Sequence, residues 1–442
     1  MNIPEMSELF KSRKPSAIRS AQIQYQKRKD NVEAINVAIG NVSLPMHPAL
    51  IKRMENLTAK ESPFNKGIVK YTATIGRKET NQAILNIISA SGFKTDKLYS
   101  QITDGGSHAM ELVILGTCGP AGSKERPLLL IDAAYTNYIA MAKRTGRATI
   151  SITRQLKENG KFTLPKVEEI EEIIRTKKPG ALLVIPYDNP TGHFLDHETM
   201  VSLAKLCVKY NIWMVSDEAY RELFYLDASP VSIWRITDEE VPGIEGRRIS
   251  IETASKVWNA CGLRIGALVT DSEKFHEKAV FEQTANLCAP AIAQYIFGGL
   301  AHETKEDLKK WFEKQRNYYK QISKTFTEDF HEMLPGAIIS SPDAAIYSVV
   351  DVRNIAKKDF DAVKFVEYCT TQGKVDLEGN ERFLTLLVAP MSGFYNTKKG
   401  EHNPGKTQMR FAYVESPENM KLVPELFASL FSQYEELRET KK

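Results

Sequence analysis

Three short apolar runs, each giving way to a polar cluster, leave this chain few folds to adopt. Leu182-Leu183-Val184-Ile185 leads into Asp188-Asn189-Pro190-Thr191-Gly192, and Ile212-Trp213-Met214-Val215 into Asp217-Glu218-Ala219-Tyr220. Ile249-Ser250-Ile251 leads into Thr253-Ala254-Ser255-Lys256, with Gly262-Leu263-Arg264-Ile265-Gly266 beyond. Apolar runs bounded by turn residues and separated by helical stretches read as buried parallel strands. Leu128 to Ile131 is another such run, while Val167 to Ile174 and Glu198 to Tyr210 have the spacing of covering helices. From about His47 to Ala291 the alternation predicts a doubly wound α/β sheet. Ligands of such sheets sit at the carboxyl ends of the strands, where these polar clusters fall.

A chain of 442 residues exceeds one compact core and predicts a large domain with a smaller companion. Apolar content of 42%, charged content of 26% and a net charge of +4 are those of a soluble globular protein, and nothing in them points to nucleic acid. The densest basic stretch, Lys27-Arg28-Lys29, is followed at once by Asp30 and reads as a solvated face. Five scattered cysteines, Cys118, Cys207, Cys261, Cys288 and Cys369, suit free thiols in a reducing cytoplasm. Neither a signal peptide nor an apolar run near the ~20 residues that span a bilayer is evident. His193 and His197 have i, i+4 spacing but no evident third ligand, so they read as surface histidines and no metal is expected. Gly116 to Gly122 lacks the Gly-Lys-Ser/Thr ending of a phosphate loop and reads as a helix-to-strand turn.

Ahead of the sheet, Ala17 to Lys29 reads as a charged helical arm and Ile35 to Ile39 as a strand ending at Gly40. Beyond Thr304, Lys305 to Phe330 reads as one long amphipathic helix, and Ala344 to Val352 and Gln408 to Tyr413 as strands of a smaller α/β unit.

An amide, a carboxylate, a phenol, an amine and a guanidinium at the strand ends describe one ligand, a phosphorylated and hydroxylated pyridine aldehyde. The order Asn-Pro-Thr-Gly, Asp-x-x-Tyr, Ser/Thr-x-x-Lys and Arg-x-Gly resembles the class I/II aminotransferases, from about Ser16 to Tyr413. These are pyridoxal-5'-phosphate (PLP) enzymes of fold type I. The resemblance implies a large domain over 47–303, with a mostly parallel seven-stranded sheet covered by helices. The arm, 1–46, would join a small domain over 304–442.

It also implies a set of roles. Lys256 would hold the cofactor as a Schiff base and shuttle a proton, which requires a partly neutral amine. Asp217 would keep the ring nitrogen protonated, although an Asp after a strand equally suits a helix N-cap. Tyr220 and Asn189 would reach the ring hydroxyl oxygen. Gly105, Gly106 and Ser107, ahead of a helical stretch, would supply backbone amides to the phosphate, joined by Arg264, Thr253 and Ser255. Tyr135 falls where the family stacks an aromatic ring on the pyridine. Tyr71 matches a tyrosine that reaches the phosphate of the neighbouring subunit, which implies a homodimer with shared active sites. Arg410, with Asn189 and the backbone at Gly40, would fix the substrate carboxylate.

Departures from the family pattern are few. Ala133 replaces the usual proline before the stacking aromatic, Thr253 the commoner serine, and Cys261 a small residue. The activity expected is amino-group exchange between an L-amino acid and a 2-oxo acid. A carbon–sulfur lyase, a decarboxylase or a cyclopropane-forming synthase would keep the same cofactor residues. A PLP-sensing regulator would need a DNA-binding unit, for which some thirty residues before the first strand are too few.

Overall fold

In a computed structural model, which describes residues 4–13, 15–377, 382–398 and 400–440, the apolar runs form the predicted sheet. The longer strands are β1 (Val32–Asn36), β2 (Tyr99–Asp104), β3 (Leu128–Asp132), β4 (Thr149–Thr153), β5 (Ala181–Val184) and β6 (Trp213–Asp217). They continue with β7 (Arg248–Thr253), β8 (Ile265–Thr270), β9 (Tyr347–Asp351), β10 (Phe383–Leu387) and β11 (Gln408–Ala412). The seven-stranded sheet has the order β2-β8-β7-β6-β5-β3-β4. Only β8 runs against its neighbours.

Burial on both faces explains why these runs are continuous rather than alternating. Leu128 and Leu130 of β3 pack into one core, with the helices Gly105–Thr117 and Asn137–Arg144. Leu129 and Ile131, the intervening residues, pack into the other core, with Ile170, Ile174, Met200 and Leu203 of the helices Val167–Lys177 and His197–Lys209. Each fully buried Leu or Ile stabilises by roughly 1.5–3 kcal/mol, so a one-residue slip of register would exchange the cores and cost many such contributions. The register therefore fixes which residues end each strand. Asp104, Asp132, Asp217 and Thr253 all end parallel strands at one edge, and β8 begins there, directly after Arg264.

The N-terminal segment joins the C-terminal third. β1 pairs in parallel with β10, Val32 opposite Phe383 through Asn36 opposite Leu387. The strand lies three residues earlier than Ile35 to Ile39, because after Asn36 the backbone leaves the ladder. Val37 donates to Leu387 and accepts from Ala412, at 2.9 Å each, and the chain then turns through Gly40 toward the sheet. A second sheet has the order Ile338–Ile339, β9, β11, Ala389–Pro390.

The first long helix, Ala17–Tyr25, stops short of Lys29. Arg28 is the reason, and it is not solvated. Its side chain is 5% exposed and donates to the Cys369 and Gly373 carbonyls at 3.2 and 2.9 Å, with Asp30 as ion-pair partner.

The predicted long helix runs from Lys305 to Met333, about 44 Å at 1.5 Å per residue. The Thr304 side chain caps it at the Asp307 amide (3.1 Å), and Leu308, Trp311, Phe312, Gln315, Tyr319, Ile322, Phe326 and Phe330 form its buried stripe. Trp311 donates its indole N–H to the Val257 carbonyl at 2.8 Å, tying this helix to the residue after Lys256. Among the described residues no helix is long and apolar enough to cross a membrane.

Candidate active site

Strand ends Asp217 and Thr253, the turns that follow β5 and β7, and the segment around Gly40 enclose a cavity of about 660 Å³. Lys256 stands in it on a turn held at several points. The Ala254 amide donates to the Ile265 carbonyl at 2.9 Å, Ala260 to Ala254 at 3.1 Å and Asn259 to Lys256 at 3.2 Å. With Trp311 bonded to Val257, the backbone cannot drift. The amine donates to the Gly40 carbonyl. A Cβ on Gly40 would collide with the Tyr347 hydroxyl and approach Lys256 Nζ to 2.9 Å, so glycine there is a matter of space.

Opposite stands Asp217, half-buried because it faces the cavity. The Ala219 amide donates to one of its oxygens at 3.0 Å, and the Tyr138 hydroxyl donates to the other. Burial pushes its pKa up, against the pull of these two donors. A cation facing it is what would hold it fully ionised. No helix starts directly after Asp217, so it is not the helix N-cap that the sequence equally allowed; its bond from Ala219 closes a turn.

Tyr220 lies within a buried group of polar side chains. Asn189 Nδ2 donates to its oxygen at 3.2 Å, and its oxygen is 2.7 Å from that of Tyr347. Burial raises the Tyr220 phenol well above its ordinary range, so it is a neutral donor at physiological pH.

An anion cradle closes the far end. The helix Gly105–Thr117 begins at the cavity, aiming the amides of its first turn there together with the positive end of its dipole. Gly105, at φ 67°, donates to the Arg264 carbonyl at 2.9 Å. A Cβ on it would run into the Arg264 guanidinium, and one on Gly266 would lie 2.5 Å from the Gly106 nitrogen. These close approaches let the Arg264 guanidinium lie directly over the helix start. Thr253 Oγ1 and Ser255 Oγ, 2.8 Å apart, add hydroxyls, and Ser107, Thr253, Ser255 and Arg264 all line the cavity.

Arg410 lines the same cavity as Lys256. It is 3% exposed, and no described carboxylate pairs with it. Nη1 donates to Asn189 Oδ1 at 3.0 Å and Nη2 to the Ala38 carbonyl at 2.6 Å, while Nε has no partner. The rings of Tyr347 and Phe394 cover the guanidinium at 4.4 and 5.1 Å. A buried cation without a counter-ion costs several kcal/mol, which an anion entering the cavity would recover.

Tyr135 lines the cavity, held edge-on against Tyr138 at 5.4 Å and accepting from Asn137 Nδ2 at 2.7 Å; burial pushes its phenol up to about 12. The Asp132–Ala133 and Asn189–Pro190 peptides are cis. Two of the expected set do not line the cavity: Gly105, whose amide is taken by the Arg264 carbonyl, and Tyr71, 78% exposed beside Ile68 and Val69. Two residues that the motifs did not mark belong to the site. Tyr138, one turn after Tyr135, could have been found from its i, i+3 spacing. Tyr347 comes from β9 and carried no local signal. His193 and His197 are not surface histidines. Both are half-buried, His193 in the loop before the helix His197–Lys209, with burial pushing it down to about 4. His197 contacts Glu240 at 2.7 Å.

The profile of the aminotransferases of class I and II matches residues 32–385, about four-fifths of the chain. An aspartate aminotransferase of Musicola paradisiaca is 26% identical over 306 residues, covering 67% of this chain and 70% of its own. One of Thermotoga maritima is 25% identical over 355 residues, covering 76% and 86%. The solved structure of the Thermus thermophilus aspartate aminotransferase with maleate superposes with a TM-score of 0.77 at 19% identity, covering 97% of this chain and all of that one, a likeness of fold. The residues present fit PLP, the cofactor of this family. A glycine-lined helix start with Arg264 suits a phosphate, Asp217 calls for a cation opposite, and Lys256 offers an amine between them. The chain belongs to the class I and II aminotransferases, PLP-dependent enzymes that transfer amino groups.

Proposed function

We propose that Lys256 holds PLP in this cavity, and that the enzyme works on a dicarboxylic amino acid, with glutamate and 2-oxoglutarate as one amino donor and acceptor pair. Bound PLP supplies an electron sink for charge developing at the substrate α-carbon. Asp217 faces the ring nitrogen and holds its proton, and Tyr220 and Asn189 donate to the ring oxygen. The phosphate is bound by Gly106, Ser107, Thr253, Ser255 and Arg264, with Gly105 holding Arg264 over the helix start, and Tyr135 lies against the ring. Arg410, held in place by the Asn189 side-chain carbonyl oxygen, and the Gly40 backbone orient the substrate carboxylate, and Lys256 Nζ then carries the α-proton.

The observation that carries this reading is the pair of groups that share the cavity with Lys256, a half-buried carboxylate in need of a cation and a buried guanidinium in need of an anion. A second arginine supports the dicarboxylic preference. Arg19, on the helix Ala17–Tyr25, lines the same cavity, with Gln22 at 3.3 Å and no described carboxylate as ion-pair partner. The exposed apolar group of Ile68, Val69 and Tyr71 supports a homodimer in which Tyr71 serves the neighbouring site. The division at 47 and 304 and a cytoplasmic location complete the proposal; the five cysteines, all free thiols, suit the latter.

A panel of amino donors against 2-oxoglutarate tests it. Glutamate formed in equal amount to a new 2-oxo acid, fastest with acidic donors, is expected. Pyruvate with ammonia or sulfide, or carbon dioxide, without glutamate would make it a lyase or a decarboxylase instead.

A further inference from the structure

We infer that the hydroxyl of Tyr347 donates to Tyr220, leaving the single Tyr220 proton free to face the cavity. Tyr347 is then a positioning residue that sets the donor strength of Tyr220. The inference rests on the proposed placement of PLP on Lys256.

Counting protons leads to it. A phenol has one proton and two acceptor sites. On Tyr220, Asn189 Nδ2–H occupies one acceptor site at 3.2 Å, and Tyr347 Oη lies 2.7 Å away, with either oxygen able to donate. If Tyr220 donated to Tyr347, it would turn no proton toward a ligand. If Tyr347 donates, both acceptor sites of Tyr220 are filled by protein and its proton is available.

The charges around Tyr347 favour the second arrangement. The Arg410 guanidinium lies 4.4 Å from the centre of its ring, and a cation there draws electron density from the ring and sharpens the O–H donor. Nothing among the described residues other than Tyr220 hydrogen-bonds to the Tyr347 hydroxyl, so its proton has one acceptor within the protein. Its carrier strand also matters. Tyr347 on β9 faces Ala412 on β11, two residues along from Arg410 opposite Val349. The residue that orients the substrate carboxylate and the one that sets Tyr220 are thus fixed in one ladder.

The test is the near-visible absorbance of the cofactor-loaded enzyme, titrated with pH. Replacing Tyr347 by Phe keeps the ring against Arg410 and removes only the donor. Tyr220 becomes a weaker donor to the ring oxygen of the cofactor, and the midpoint of the band should rise by about half a unit, part of one neutral hydrogen bond. In a Tyr220→Phe background the same change should add nothing. Placing 3-fluorotyrosine at 347, a stronger donor of the same shape, should move the midpoint down; it also decides the matter should Tyr347→Phe fail to fold. An unmoved midpoint in either folded protein, or an equal shift in the Tyr220→Phe background, overturns the inference. A wild-type enzyme that forms no band at all overturns the placement of PLP and this inference with it.

Discussion

Replacing Arg410 by Lys keeps the charge and removes the fork. Of the five N–H bonds of a guanidinium, two are committed to Asn189 and Ala38, leaving one free on each nitrogen, the unpartnered Nε among them. Two of these can meet a carboxylate side by side, each charge-assisted bond contributing ~1.5–3 kcal/mol. An ammonium on a flexible stem restores about one such bond and drops the anchors to Asn189 and Ala38. The net loss should be ~2–3 kcal/mol, or roughly 30- to 150-fold in kcat/KM for an L-amino acid. The assay is the half-reaction with the amino acid, run beside the corresponding primary amine without its carboxylate. Arg410→Lys should slow the first by this factor and leave the second within about threefold. Equal losses for both substrates, or no loss for the amino acid, would show that Arg410 does not hold the carboxylate.

Two further changes probe the support of the site. Arg221 lies under the Asp217–Tyr220 turn between two buried carboxylates, with Glu252 at 2.6 Å and Glu218 at 3.5 Å. Arg221→Met leaves both without a cation and should cost ~3–5 kcal/mol in urea unfolding at pH 7, a loss of under about 1 kcal/mol contradicting the account. Asp132 is buried, and burial raises its pKa from 3.8 to about 6 although the Asn396 amide donates to it at 2.6 Å. Its native pKa lies above the unfolded one, so the native state binds the extra proton between these values. Its contribution is therefore fully present below about pH 4 and is lost as the pH rises through 6, by ~1–3 kcal/mol. Asp132→Asn keeps an acceptor for the Asn396 amide and should flatten that part of the stability–pH curve; an unchanged slope would contradict the assignment.

The sequence was most legible where one residue did one job. The central strands had to be apolar on both faces, so Leu128–Asp132, Ala181–Val184 and Trp213–Asp217 stand out, while Arg248–Thr253 alternates Ile249 and Ile251 with buried polar residues; the parallel register carries their polar successors to one edge. Lys256, Asp217, Asn189 and Tyr220 were readable from those positions and Arg410 from the family resemblance, and all five line one cavity. Ends set by distant partners were not readable. The helix Ala17–Tyr25 stops because Arg28 reaches carbonyls more than three hundred residues away. β1 is displaced because Val37 bonds across to Leu387 and Ala412. Tyr347 could not be seen because its partners, Tyr220 and Arg410, meet it only through tertiary packing. Arg19 escaped for the same reason, since an arginine on an exposed helix face carries no mark of the cavity it borders.

The central claim is that Lys256 and no other lysine binds the cofactor covalently, facing Asp217. Reducing the loaded enzyme with borohydride and mapping its peptides tests this most directly. A single reduced adduct on the peptide that carries Lys256, absent from Lys256→Ala, is the result predicted. An adduct on another lysine, or none in a protein that has taken up PLP, would contradict it.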